Sequence, residues 1–226
     1  VERSIAVLPF MNLSSDPENE YFSDGITEEI LNALVKVSDL KVASRTSSFA
    51  FKGHQGDVRE IAEKLGVPTV LEGSVRKAGN RVRITGQLIG AADGYHLWSE
   101  TYDRELEDIF AVQDEIAHAV VSALRQKLVG APAGQLVTRA TENPEAYDLY
   151  LKGRYHCNRW RADAIATAAE LFERAIAKDP TYAAAWAGPA DASALLCHWT
   201  VAPREMWAKA KRAALTALEL DPDLPE

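Results

Sequence analysis

The sequence predicts a mixed α/β domain of order β-α-β-α-β-β-β-α, a mixed β-sheet covered by helices, followed by an all-α domain of helical repeats. Three observations predict it. Short apolar runs alternate with segments of helical periodicity as far as residue 128. The stretch "VGAPAGQLVTRATEN", residues 129–143, then interrupts with Gly, Pro and small polar residues. Beyond it the chain is alanine-rich, helical throughout and repetitive. The expected organisation is an α/β domain over 1–130, a linker over 131–143 and helical repeats over 144–226.

The elements follow in order. "SIAVLPF" reads as a buried first strand ending at Pro9. After the polar loop "MNLSSDPENE", Ile26, Ile30, Leu31, Leu34 and Val37 recur at helical spacing, and "LKVAS" is a second strand. Asp57 caps a helix carrying Val58, Ile61, Ala62 and Leu65, which Gly66 and Pro68 stop. "TVLEGSVRK" and "RVRITGQLI" flank the tight connection "AGN", and "GAADG" leads into "YHLWSETYD". In the middle strand Val82, Ile84, Gly86 and Leu88 alternate with Arg81, Arg83, Thr85 and Gln87, so one face is buried and one is wet. A helix carrying Ile109, Val112, Ile116, Val120, Ala123, Leu124 and Leu128 closes the domain.

In the second half, "ELFERAIAKDPTYA" and "AALTALELDPDLPE" each end a helix in an Asp-Pro step, with Pro180 and Pro222 42 residues apart. Ala168, Phe172, Ala175 and Pro180 keep the spacing of the second helix of a tetratricopeptide repeat. Ala210, Ala214, Ala217 and Pro222 reproduce it, although the usual period is about 34 residues. Two such units read as part of a truncated array. Pro189 departs from the pattern and predicts a bent or late-starting helix near 187–191.

The candidate sites are few. Asp24, Glu28 and Glu29 in "YFSDGITEEI" invite a metal or proton-transfer reading, but Ser23 or Asp24 as cap, with acids in the first turns, explains them as a helix start. Arg45, Thr46, Ser47, Ser48 and Lys52 form a possible anion or ligand loop, which Phe49 and Phe51 would pack over the sheet. That loop lacks the glycine spacing of a phosphate cradle. Tyr147, Tyr150, Arg154, Tyr155, Arg159 and Trp160 supply the aromatic and arginine anchors that binding surfaces favour. His54, His96, His118, His156 and His198 show no metal-ligand spacing, and the neighbours His156–Cys157 and Cys197–His198 do not face each other on a helix. No catalytic set, cofactor motif or metal site is expected. Cys157 and Cys197 read as buried thiols, with a disulfide as the alternative in an oxidising compartment.

A net charge of −8 and the lack of any basic block exclude a nucleic-acid surface. No apolar run reaches the roughly 18 residues of a membrane span. The chain opens on Val1 and stops at "DPDLPE", which reads as a fragment of a longer protein. The blocks "IAVLPFMNLSSDPENEYFSDGITEEILNAL", "VLEGSVRKAGNRVRITGQLI", "GYHLWSETYDRELEDIFAVQDEIA" and "NPEAYDLYLKGRYHCNRW" resemble the bacterial family in which a TolB-like amino-terminal domain precedes tetratricopeptide repeats. The resemblance implies a non-catalytic sensory or scaffolding module. It also implies an upstream class III adenylate or guanylate cyclase domain, or a winged-helix DNA-binding domain, often with a membrane segment between. Any cyclase activity would then reside outside this chain, whose partner would be a protein or its own output domain. A small-molecule sensor is the alternative. An extracytoplasmic position follows if a membrane segment precedes Val1, and a cytoplasmic one otherwise.

Overall fold

The apolar run after Arg3 forms β1 (Ser4–Val7), and all four of its residues are buried. This computed structural model describes residues 4–37, 40–54, 56–125, 140–196, 204–222 and 224. It divides into two compact units, Val1–Thr138 and Arg139–Glu226.

In the first unit β1 lies between β3 (Lys41–Val42) and β4 (Thr69–Ala78), parallel to both. Pro9 has no N–H to give a ladder, so the chain leaves the sheet after Leu8 and rejoins β4 as the two-residue β2 (Met11–Asn12). Sequence periodicity passed over this short strand as loop. β4, β5 (Arg81–Gly90) and β6 (His96–Glu105) form an antiparallel meander, giving the order β3-β1-β4-β5-β6. The β4–β5 turn is Gly79-Asn80, with Gly79 at φ 59.

The predicted alternation holds along β5: Val82, Ile84, Gly86 and Leu88 are buried, while Arg81 and Arg83 are exposed. α1 (Glu20–Val35) and α4 (Ile109–Arg125) pack on the buried face, where Gly86 lies against Trp98 and Ile116. α3 (Val58–Leu65) covers the other face at the parallel end, in a cluster of Ala6, Leu8, Ile61, Ala62, Val67 and Val70. Asp57 caps α3 by accepting from the Arg59 N–H at 2.9 Å, and Gly66 ends it in the left-handed region at φ 66. Leu128, assigned to the last helix from its spacing, lies outside the described residues, as does most of the expected linker.

The second unit is helical: α5 (Pro144–Cys157), α6 (Ala162–Lys178), α7 (Ala183–Leu196) and α8 (Arg204–Leu220). Each packs on the next, and α5 also reaches α7. Asn143 caps α5 through its side-chain oxygen, and α6 stops before Asp179-Pro180. The small residues Ala168, Ala175, Ala210 and Ala217 are buried, with Phe172 among them.

Of the bent or late-starting helix expected near 187–191, the late start is corrected: α7 begins at Ala183 and runs through Pro189. Proline at that position forgoes one backbone bond. The burial of Ala185, Ala187, Gly188 and Pro189 against neighbouring helices offsets the loss. Among the described residues no helix is long and apolar enough to cross a membrane.

Candidate functional site

Two groups that the sequence keeps apart meet on the surface of α1. Glu20, Asp24 and Glu28 recur at i, i+4 and i+8 and share one side of the helix. Asp24, Glu28 and Glu29 do not mark a helix start, because α1 already begins at Glu20. A 3₁₀ turn at Pro17–Asn19, capped by Asp16, carries the chain into it. Thr27 does not cap either. Its hydroxyl accepts from the Phe10 N–H at 2.9 Å and donates to the Ser23 carbonyl at 2.8 Å, fastening the β1–β2 bulge to α1.

The expected ligand loop is the short helix α2 (Arg45–Phe49) with the turn after it, and Ser44 is its cap. Its cations face the α1 carboxylates. Lys52 Nζ lies 2.6 and 2.7 Å from the two oxygens of Asp24 and 2.8 Å from Glu20 Oε1. Arg45 Nε donates to Glu28 Oε1 at 2.7 Å, and its guanidinium stacks over Phe49 at 3.9 Å. Arg45 and Lys52 are thus already paired with α1 carboxylates, with which an anion would have to compete. Thr46 and Ser47 are exposed, and Ser47 gives its N–H to the Ser44 cap. Ser48 is fully buried, and its hydroxyl, like that of Ser23, has no hydrogen-bond partner among the described residues.

Burial is the main influence on Asp24 and raises its carboxyl above the ordinary 3.8, against the hydrogen bond and charge of Lys52. Burial opposes the Lys52 charge, but its hydrogen bonds to Asp24 and Glu20 outweigh that and raise it above 10.5. The raised Lys52 contributes stability that is complete below 10.5 and is lost as pH climbs through its folded value. Lys52→Met should therefore cost about 1.5–3 kcal/mol at pH 7, the range for hydrogen bonds to charged groups. The penalty should shrink as pH falls through the Asp24 titration, because a neutral Asp24 no longer needs the ammonium. Urea denaturation at pH 4, 7 and 9 checks this, and a cost that does not vary with pH would contradict it.

On the open side of the meander, Arg81 and Arg83 converge on Asp103, at 2.7 and 2.6 Å. Both arginines are well exposed and Asp103 is partly so, so the pairs add little stability. They nevertheless balance the arginine charge that an anionic ligand would need.

The α5 candidates separate into two sets. Tyr147 and Tyr150 are each 2% exposed, and Tyr150 packs edge-on against Tyr182 with ring centroids 5.1 Å apart. They are corrected from partner anchors to core, since their period on α5 turns them toward α6 and α7. Arg154 is half-buried, with its guanidinium 6.0 Å from the Tyr150 ring. Tyr155, Arg159 and Trp160 reach the surface at the end of α5, with Arg159 5.7 Å from the Tyr155 ring centroid. Trp160 is 59% exposed and adopts φ 50, a conformation that bulky residues rarely take.

No group of three or more His, Cys, Asp or Glu among the described residues is placed to hold a metal. Cys157 is a buried free thiol. Cys197, its candidate partner, lies outside the described residues, as does His198. Burial first, and the Asp191 carboxylate next, push the Cys157 thiol up to about 12. In a Cys197→Ser chain, alkylation of Cys157 at pH 8 should run at least about a hundredfold slower than in urea, because the thiolate is the reactive form. Equal rates would show that the thiol is accessible and ionised.

Comparison with known proteins places these features in context. Residues 1–119 match the family model described as "HilA/YgeH-like transcriptional regulator, second domain". A Rhizobium meliloti (strain 1021) protein named "Putative adenylate cyclase 3" is 50% identical over 184 residues, covering 81% of this chain and 31% of that protein. The chain thus spans about a third of the length of that relative. Among solved structures, TolB from Acinetobacter baumannii is similar at a TM-score of 0.43 and 17% identity, over 56% of this chain and 29% of that one. Lipoprotein GNA1162 from Neisseria meningitidis is similar at 0.40 and 19%, over 56% of this chain and 99% of that one.

Proposed function

Because the chain belongs, through residues 1–119, to the family of HilA/YgeH-like transcriptional regulator second domains, we propose that it is a non-catalytic regulatory module of a bacterial signalling protein. The observation that carries this reading is the reach of the identity to the cyclase-named relative. Its 184 residues exceed the 138 of the first unit, so the match extends into the helical unit, within a protein roughly two and a half times as long as this chain. Parts of both units therefore recur together beside further sequence. The output they regulate, a cyclase or a transcriptional domain, belongs to that further sequence.

The helical unit is the docking part of the module. α5 with α6, and α7 with α8, are two helix pairs whose Asp-Pro ends are 42 residues apart, and we read them as tetratricopeptide-like repeats. Such repeats recognise protein segments through surface aromatics and arginines. The exposed Arg159 and Trp160, with the half-buried Tyr155 beside them, are the set suited to this. The alternative, a small-molecule sensor at the 45–52 segment, is the weaker reading because Arg45 and Lys52 are already paired with carboxylates.

The test is a photo-crosslinking residue at position 160 of the full-length parent in its native cell. A reproducible crosslink to one protein, or to the parent's own output domain, supports docking. Absence of any crosslink, together with a saturable thermal shift by one compound, favours the sensor. Cyclic nucleotide made from ATP or GTP by the purified chain would overturn the non-catalytic reading.

A further inference from the structure

β6 is the last strand of the sheet and runs for ten residues, whereas the opposite edge strand, β3, has two. The register shows which of its backbone groups face away from β5. Leu106 donates to the Asn80 carbonyl at 2.8 Å, one step beyond the Arg81–Glu105 pair. Hydrogen-bonded pairs alternate along an antiparallel ladder, so residues 104, 102, 100 and 98 turn their backbone groups to β5. The N–H and C=O groups of residues 99, 101, 103 and 105 then point away from the sheet. Natural edges are commonly blunted by proline, charged side chains (lysine above all) or a bulge, and β6 carries the charges of Glu100, Asp103, Arg104 and Glu105. β6 has no proline or lysine, and its single register irregularity lies at the Leu88/Ile89 end.

We propose that β6 pairs antiparallel with β6 of a second copy of this chain, with Tyr102 facing Tyr102 at the two-fold axis. Charge selects that register. It sets Glu100 opposite Arg104 of the second copy, and by symmetry sets the pair twice. Thr101 falls opposite Asp103 and Ser99 opposite Glu105, so no like charges meet. Centring on Glu100 instead would oppose two glutamates, and centring on Asp103 would oppose two aspartates. Centring on Thr101 matches no opposite charges. Direct cross-strand neighbours are the pairs whose charges count. Both side chains reach solvent: Glu100 is exposed, its Oε2 accepting from the Tyr102 hydroxyl at 2.9 Å and the Trp98 Nε1 at 3.3 Å, and Arg104 lies 3.6 Å from Glu115 and donates to the Asp103 carbonyl at 3.2 Å.

Sedimentation equilibrium of the full chain up to about 100 μM tests this, with circular dichroism confirming that each variant folds. The chain should dimerise. Glu100→Arg and Arg104→Glu alone each place like charges opposite one another and should weaken association at least about tenfold. Mixed in equal amounts, the two variants present opposite charges at both positions and should dimerise again. A monomeric parent chain, single variants that associate like the parent, or a mixture that stays monomeric would each overturn the proposal.

Discussion

Phe172→Ala should lower the stability of the helical unit by about 3–5 kcal/mol, the range for emptying a buried phenylalanine site. The ring is fully buried and stands between two glycines, Gly153 on α5 and Gly188 on α7. A Cβ at Gly153 would lie 2.5 Å from the ring, and one at Gly188 2.4 Å. Helix propensity alone would make Gly188→Ala stabilising by about 1 kcal/mol. Overpacking costs about 1–3 kcal/mol and should win, because a ring gripped from both sides cannot give way.

The sign should reverse in the Phe172→Ala background. There the new methyl enters the cavity, and the propensity gain of about 1 kcal/mol remains. Urea denaturation of the parent, the two single variants and the double variant measures this coupling. If Gly188→Ala has the same sign in both backgrounds, the ring is not what requires glycine. The same packing accounts for Pro189 inside α7, since the close approach at Gly188 holds that part of the helix in place whatever its own preference.

Gly73→Ala should cost the α/β unit about 3 kcal/mol, at the upper end of overpacking costs. A Cβ at Gly73 would lie 2.4 Å from the Thr85 carbonyl oxygen and 2.6 Å from the Phe10 ring. Phe10 is buried, and its N–H is held by Thr27. The contrast with Gly188 lies in the obstacle. At Gly188 a side chain blocks the methyl, so truncating that side chain relieves the strain. At Gly73 part of the obstacle is the backbone of β5, so Phe10→Ala should restore little. Chemical denaturation of Gly73→Ala with and without Phe10→Ala separates the two cases, and full recovery would show that the carbonyl can move.

Much of the fold was legible because its signals are local. The β5 alternation, the Asp57 cap, the Gly66 stop and the Asp179-Pro180 end each depend on residues within a turn or a strand of one another. Those interactions form wherever such residues occur together. β2 escaped notice because two residues hold no period, and α2 because five polar-leaning residues read as loop.

The candidate site was far less legible. The i, i+4, i+8 row of Glu20, Asp24 and Glu28 is visible in the sequence, but its meaning depends on Lys52, 28 residues beyond Asp24. Likewise Tyr147 and Tyr150 have the same composition signal as Tyr155 and Trp160, and only their direction on α5 divides core from surface. By itself the sequence determined which segments become strands and helices, where they stop, and that no ready-made catalytic motif is spelled out. Only the tertiary structure decided which charges are already neutralised and which aromatics are buried. It did so because ion pairing and burial depend on distances between segments that the chain must first fold to bring together.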